Sequence, residues 1–287
     1  GGEFTSENYG LYIFTSGGTI NVYDGTFTVT GDKPVLKADL DLGSYPNAVA
    51  EINISGGTFV GGIDMAKNEN VHLNITGGTF SVDPNAYCAT GYTATKNESG
   101  QWVVSPKEGM EADTSVSGNT ASAEVGGTFS GNEDLGQDNV GASNGTLSID
   151  ASVTEGDTAA ITKTEVSIGN EALTSVSGAN SVNSVVLKTN VADLTVDKAA
   201  WNAITKNADG AKVALTIEEK AGTGGAPLTY TVTATANGKD VYSADNATGS
   251  IKISVKYEGT DLPKVYYVGP NGLEDMKAEL KDGILSW

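Results

Sequence analysis

The segments INISGGTFV (Ile52 to Val60) and LNITGGTFSV (Leu73 to Val82) repeat one pattern 21 residues apart. In each, apolar and polar residues alternate, a Gly-Gly pair interrupts, and Thr-Phe resumes the run. Alternation with a period of two marks a strand with one buried face. Ile52, Ile54 and Phe59 should therefore point one way, as should Val71, Leu73, Ile75 and Phe80. The Gly-Gly pair supplies a corner, where the backbone needs positive φ or close approach to its neighbour. A weaker relative, INVYDGTFTV (Ile20 to Val29), and a remnant in the opening GGEFTS extend the series. Aligned on the second glycine, the repeats fall at Gly2, Gly25, Gly57 and Gly78, in steps of 23, 32 and 21 residues. The long step reads as an insertion around KPVLKADLDLGSYPNA. A period of this length predicts a solenoid, with Phe4, Phe27, Phe59 and Phe80 in one internal ladder and the Ile/Leu residues in a second. Four coils at about 4.8 Å each make a rod only ~20 Å long, so its ends need covers.

The lower cover is predicted in DPNAYCATGYTATKNESGQWVVSP, where Tyr87, Tyr92, Trp102 and Val103 can close the last coil and NESG forms a hairpin turn. Tyr87, Tyr92 and Trp102 are also the ligand-binding candidates, as a platform on which sugar rings could stack. The upper end, at Gly1, has no such cover and reads as part of a longer chain. After Pro106 the sequence becomes polar and acidic, which places a domain boundary near Lys107: a solenoid with its cap over 1–106, and a second domain over 107–287 with 107–222 and 223–287 as candidate subdomains. A further GGTF at Gly126 to Phe129 lacks a preceding alternating strand and is expected to be chance or a loop.

A second internal repeat aligns Val166–Thr189 with Leu194–Ile217 at an offset of 28, pairing Val166 with Leu194, Ile168 with Val196, Leu173 with Trp201, Val176 with Ile204, Val185 with Val213 and Leu187 with Leu215. Each unit predicts strand, short helix, strand, with Asn170 and Asp197 as N-caps and Trp201 as a core anchor. Helices this short need a sheet to pack on. LTYTVTATANGKDVY predicts a hairpin around Asn237-Gly238; GSIKISVKYEG, KVYYVGPNGLEDM and GILSW add strands. The fold expected is mainly β, a short parallel β-helix followed by a β-rich α+β domain.

Chemistry is constrained next. The formal net charge of −19 opposes nucleic acid and anionic membrane surfaces. None of the 17 basic residues is an arginine, which removes the bidentate clamp for phosphate or carboxylate ligands. No apolar run approaches the ~20 residues of a membrane span. The single cysteine, Cys88, excludes an intrachain disulfide and reads as a small, half-buried side chain. His72, the only histidine, alternates with inward Val71 and Leu73 and should face solvent, so neither a zinc site nor a Ser/His triad is expected. No metal site is assigned; calcium is carried as a candidate cofactor because SGNEDLGQDN is rich in oxygen ligands.

The segments ISGGTF, ITGGTFSVDPNAYCATGYTATKNESGQWVV and DLPKVYYVGPNGLEDMKAELKDGILSW resemble parts of large cell-surface proteins of gut Gram-positive bacteria, over roughly 1–105 and 160–287. The resemblance implies that the β-helix is right-handed, that the chain is secreted to the cell surface or wall, and that it serves as an adhesin or structural stalk whose partners are host or bacterial glycans or surface proteins. It also implies one more strand beyond Trp287.

Two functional classes follow. The first is a non-catalytic display module with carbohydrate or protein binding on its loops. The alternative is a polysaccharide hydrolase or lyase on the β-helix: Asp39 and Asp41 share a strand face at i and i+2, Asp64 could lie on a neighbouring coil, and Lys33 or Lys37 could serve as lyase base. Solvated acidic side chains account for the same residues more simply, and the first class is preferred.

Overall fold

The computed structural model describes residues 1–131, 133, 139–154, 158–222, 227–243, 247–269 and 272–287. It is mainly β, with 52 % strand and 9 % helix distributed over several sheets. The chain divides into two compact units, Gly1–Lys107 and Glu108–Trp287.

The first unit holds β1 (Glu3–Ser6), β2 (Leu11–Thr15), β3 (Gly18–Val22), β4 (Thr26–Val29), β5 (Pro34–Leu40), β6 (Ala50–Ile54), β7 (Thr58–Val60), β8 (Gly62–Met65), β9 (Val71–Ile75), β10 (Gly78–Phe80), β11 (Tyr92–Lys96) and β12 (Trp102–Pro106). The chain visits three sheets in rotation, ordered β1-β4-β7-β10-β12-β11, β2-β5-β8 and β3-β6-β9, and every pairing among β1 to β10 is parallel. Register puts like on like: Phe4 opposite Phe27, Phe27 opposite Phe59, Phe59 opposite Phe80. The second ladder runs Ile20, Ile52, Leu73 beside Val22, Ile54, Ile75. Phe59 and Phe80 are fully buried, whereas Phe4 at the first strand is 46 % exposed.

The sequence KPVLKADL, expected as an insertion, is instead β5, the central strand of the second parallel sheet. Its Leu36 lies between Leu11 and Ile63, and its Ala38 between Ile13 and Met65. Only the turn and extended stretch after Leu40 lengthen that repeat.

The Gly-Gly corner has two separate causes. Gly57 and Gly78 have φ of 103° and 105°, a region that L side chains avoid. Gly56 and Gly77 have no such φ, but a Cβ there would lie 2.3 Å from the carbonyl oxygens of Tyr23 and Ser55 on the preceding repeat. The first glycine is needed for approach and the second for conformation, and at Gly57 also for approach, since a Cβ there would lie 2.9 Å from the Gly25 carbonyl oxygen. Gly77→Ala is therefore expected to cost roughly 2 kcal/mol, the scale of overpacking. Urea unfolding followed by circular dichroism checks this, and an unchanged midpoint would show that the contact is not limiting.

The aromatic segment after Phe80 covers the last strands. Trp102 pairs opposite Phe80 and Val104 opposite Gly78, so β12 continues the phenylalanine ladder in antiparallel sense. Cys88 bridges Ile75, and Ala89 donates its N–H to the Ile75 carbonyl. The Asn85 side chain accepts from the Ala94 N–H at 2.8 Å and donates to the Ala94 carbonyl at 3.1 Å, acting as a strand partner for β11.

The second unit adds β13 (Gly109–Ser117), β14 (Thr120–Thr128), β15 (Val140–Ser143), β16 (Thr146–Asp150), β17 (Lys163–Ile168), α1 (Asn170–Gly178), β18 (Ser184–Lys188), β19 (Asp193–Asp197), α2 (Lys198–Ala208), β20 (Val213–Lys220), β21 (Thr229–Ala236), β22 (Lys239–Tyr242), β23 (Ile251–Lys256), β24 (Tyr266–Gly269), β25 (Gly272–Asp275), β26 (Glu279–Lys281) and β27 (Ile284–Ser286). Two mixed sheets form, β13-β14-β17-β20-β21-β22 and β15-β16-β18-β19-β23-β27-β26, with β24-β25 a separate hairpin. Of the strands beyond residue 223, β21 and β22 extend the first of these sheets and β23, β26 and β27 the second, so the candidate division into 107–222 and 223–287 cuts across both sheets. The GGT of the late GGTF lies inside β14, paired antiparallel to β13, so it is not a loop.

The 28-residue repeat is β17-α1-β18 and β19-α2-β20. One half runs from the first sheet to the second and the other returns, so β17 pairs with β20 and β18 with β19. Asp197 caps α2 as expected, accepting from the Ala200 N–H at 2.8 Å, and also accepts from the Ser250 N–H and hydroxyl. Burial opposes its charge, but these hydrogen bonds prevail and hold the carboxyl below the ordinary aspartate range. Asn170 is not the cap of α1: Gly169 holds that position without a side-chain bond, and Asn170 is already the first helical residue. At the other end of α1, the Lys198 ammonium donates to the Val176 and Ala179 carbonyls, satisfying groups a helix C-terminus leaves free.

Candidate functional site

A strand with one buried face presents its other side chains outward. In β2, Leu11 and Ile13 turn to the core, leaving Tyr12 and Phe14 outside; in β5, Leu36 and Ala38 turn in, leaving Lys37 and Asp39; in β8, Asp64 faces out between Ile63 and Met65. Parallel register stacks Tyr12 on Lys37 and Lys37 on Asp64, with Phe14 on Asp39. Tyr9, just ahead of β2, lies 4.7 Å from Tyr12 between ring centroids, and Tyr12 lies 5.4 Å from Phe14; the rings tilt by 42° and 49°. The three rings form a bent aromatic row, of which Phe14 is 61 % exposed.

Electrostatics tie the row to its neighbours. Lys37 Nζ donates to Asp64 Oδ2 at 2.6 Å and sits 5.7 Å from the Tyr12 ring centroid. The Asp64 hydrogen bond raises the Lys37 ammonium above the ordinary lysine range. Burial and then the charge of Asp39 raise the Tyr12 phenol. An aromatic row flanked by carboxylates can cover the C–H face of a sugar ring while accepting hydrogen bonds from its hydroxyls.

The residues named from sequence are distributed as follows. Asp39 and Asp64 share this outer face on adjacent strands. Asp41 lies past the end of β5, where its carboxylate accepts from the Ser44 N–H at 3.1 Å; bonding to Ser44 holds it below the ordinary range. Lys33 is exposed in the bend before β5. Tyr87, Tyr92 and Trp102 are half-buried and pack against the core of the first unit, and Lys96 Nζ lies 5.8 Å from the Trp102 ring centroid. The Cys88 thiol is pushed up by burial and by Asp83, away from thiolate reactivity. His72 is exposed on β9, opposite Glu51.

Among the described residues, no three of His, Cys, Asp and Glu gather where they could hold a metal ion. Of the calcium candidate SGNEDLGQDN, residues 132 and 134–138 lie outside the described residues; the Glu133 carboxylate is taken up by the Ser130 and Gly131 N–H groups. No helix among the described residues is long and apolar enough to cross a membrane.

Tyr9, Tyr12 and Phe14 escaped the sequence reading. The signal was present in LYIF, where two aromatic residues flank one isoleucine at strand spacing, but that strand carries no Gly-Gly-Thr-Phe marker. Comparison with known proteins finds no matching family model, and no significant match among curated proteins or solved structures.

Proposed function

We propose that this chain is a non-catalytic, extracellular surface module, an adhesin or stalk element, that binds a saccharide along the outer face of the β2-β5-β8 sheet. The row formed by Tyr9, Tyr12 and Phe14 carries this reading. Tyr9 and Tyr12 are half-buried against one another and Phe14 is largely exposed, so the row offers aromatic area to solvent beside hydrogen-bonding carboxylates. In this proposal the first unit is a short right-handed parallel β-helix. The rotation of β1 to β10 through three sheets, with every pairing among them parallel, supports that architecture. The cell-surface location rests on the resemblance of the GGTF segments.

Catalysis by Asp39, Asp41 and Asp64 has less support. A lyase base needs a lysine whose ammonium is destabilised, whereas Asp64 stabilises that of Lys37. A hydrolase acid needs a raised carboxyl, whereas Asp41 is lowered.

A glycan array probed with the wild-type chain and with Phe14→Ala tests the proposal. The variant is expected to weaken any glycan bound by wild type about tenfold or more, the scale of losing one exposed ring contact of over 1 kcal/mol. Binding that survives Phe14→Ala and Tyr12→Ala unchanged would remove this face as the site.

A further inference from the structure

Resting on the saccharide-binding reading above, we infer that the β2-β5-β8 face accepts uncharged saccharides and rejects anionic ones, and that Asp64 sets this choice by holding the ammonium of Lys37. Recognition of a uronate or sulfate requires a cation free to pair with it. Lys37 is the one cationic side chain among Tyr9, Tyr12, Phe14, Lys37, Asp39 and Asp64, and it is committed. Its Nζ lies 2.6 Å from Asp64 Oδ2, and its side chain is only 17 % exposed. An approaching anion meets the more exposed carboxylates of Asp64 and Asp39 first. The net charge of −19 adds a salt-screened, longer-range repulsion to this local one.

A neutral sugar faces no such opposition. Its hydroxyls can donate to Asp39 and to the lone pairs that Lys37 leaves free on Asp64, while Tyr12 and Phe14 cover the ring. The ion pair itself adds little to stability, because the Asp64 carboxylate is 58 % exposed. Its effect therefore lies in selectivity, and its removal leaves the fold intact.

The test is calorimetric titration of the full chain with cellohexaose, xylohexaose and mannohexaose as neutral probes and hexagalacturonate as the anionic one. Wild type is expected to bind at least one neutral probe and to bind hexagalacturonate at least about tenfold more weakly. Asp64→Asn should raise the affinity for hexagalacturonate relative to that for the neutral probes at least about tenfold, a gain abolished by high salt and by adding Lys37→Met. An Asp64→Asn chain that gains nothing for hexagalacturonate overturns the role of Asp64. If wild type prefers hexagalacturonate, and Phe14→Ala abolishes that binding, the neutral preference is wrong while the saccharide face stands. If Phe14→Ala changes the binding of no probe, the face itself is wrong and both readings fall.

Discussion

Phe59→Ala should destabilise the first unit by about 3 to 5 kcal/mol, the usual range for truncating a buried phenylalanine to alanine. Phe59 has no exposed surface and lies between two rings, 5.2 Å from Phe27 at 7° and 4.9 Å from Phe80 at 11°. Its removal opens a cavity inside the ladder and breaks two stacks, each worth about 0.5 to 1.5 kcal/mol beyond area burial. The backbone cannot close the gap, because strand spacing is set by the parallel hydrogen bonds on either side. Phe59→Leu should fall between, since it fills much of the volume without a ring face. Hydrogen-exchange mass spectrometry is the suitable measurement, as it reads residues 50–80 separately from the second unit. Protection unchanged by Phe59→Ala would mean that the ladder does not carry the stability of this unit.

Trp201→Ala should cost the second unit a similar ~3 to 5 kcal/mol. Trp201 is 1 % exposed and is the largest fully buried side chain; its indole Nε1–H donates to the Leu173 carbonyl at 3.1 Å. The bond joins α2 to α1 at the two positions that the 28-residue repeat equates. Trp201→Phe separates the contributions: it retains most of the apolar area and loses the donor, so a smaller cost, on the order of 1 to 2 kcal/mol, is expected. Guanidinium unfolding of both variants, with exchange in 166–217 as the local readout, distinguishes them. A Phe variant as unstable as the Ala variant would assign the effect to the hydrogen bond instead of the packing.

Much of the core was legible because it is periodic. All twelve residues equated across the 28-residue repeat, from Val166 and Leu194 to Leu187 and Leu215, are at most 1 % exposed. The Asn237-Gly238 hairpin was legible because both residues must take positive φ, and they do, at 50° and 72°. The cap of α1 was misplaced for a local reason: asparagine is a good capping residue, but Gly169 donates its N–H to the Val125 carbonyl, and that tertiary bond places the end of the extended chain one residue earlier.

The second parallel sheet shows where periodicity stops informing. LYIFT, PVLKADL and GIDM share no motif and differ in length, so nothing in the chain marks them as neighbours. They are brought together by the registers of the two flanking sheets, which hold each repeat in place and leave β5 between β2 and β8. The proposed site is a product of that juxtaposition. Tyr12, Lys37 and Asp64 are 25 and 27 residues apart and become a stack through strand pairing. Local patterning specifies which way each side chain faces, because alternation is a property of one strand. Which outward side chains meet depends on long-range pairing, because that is set by the whole set of repeats closing around their shared core.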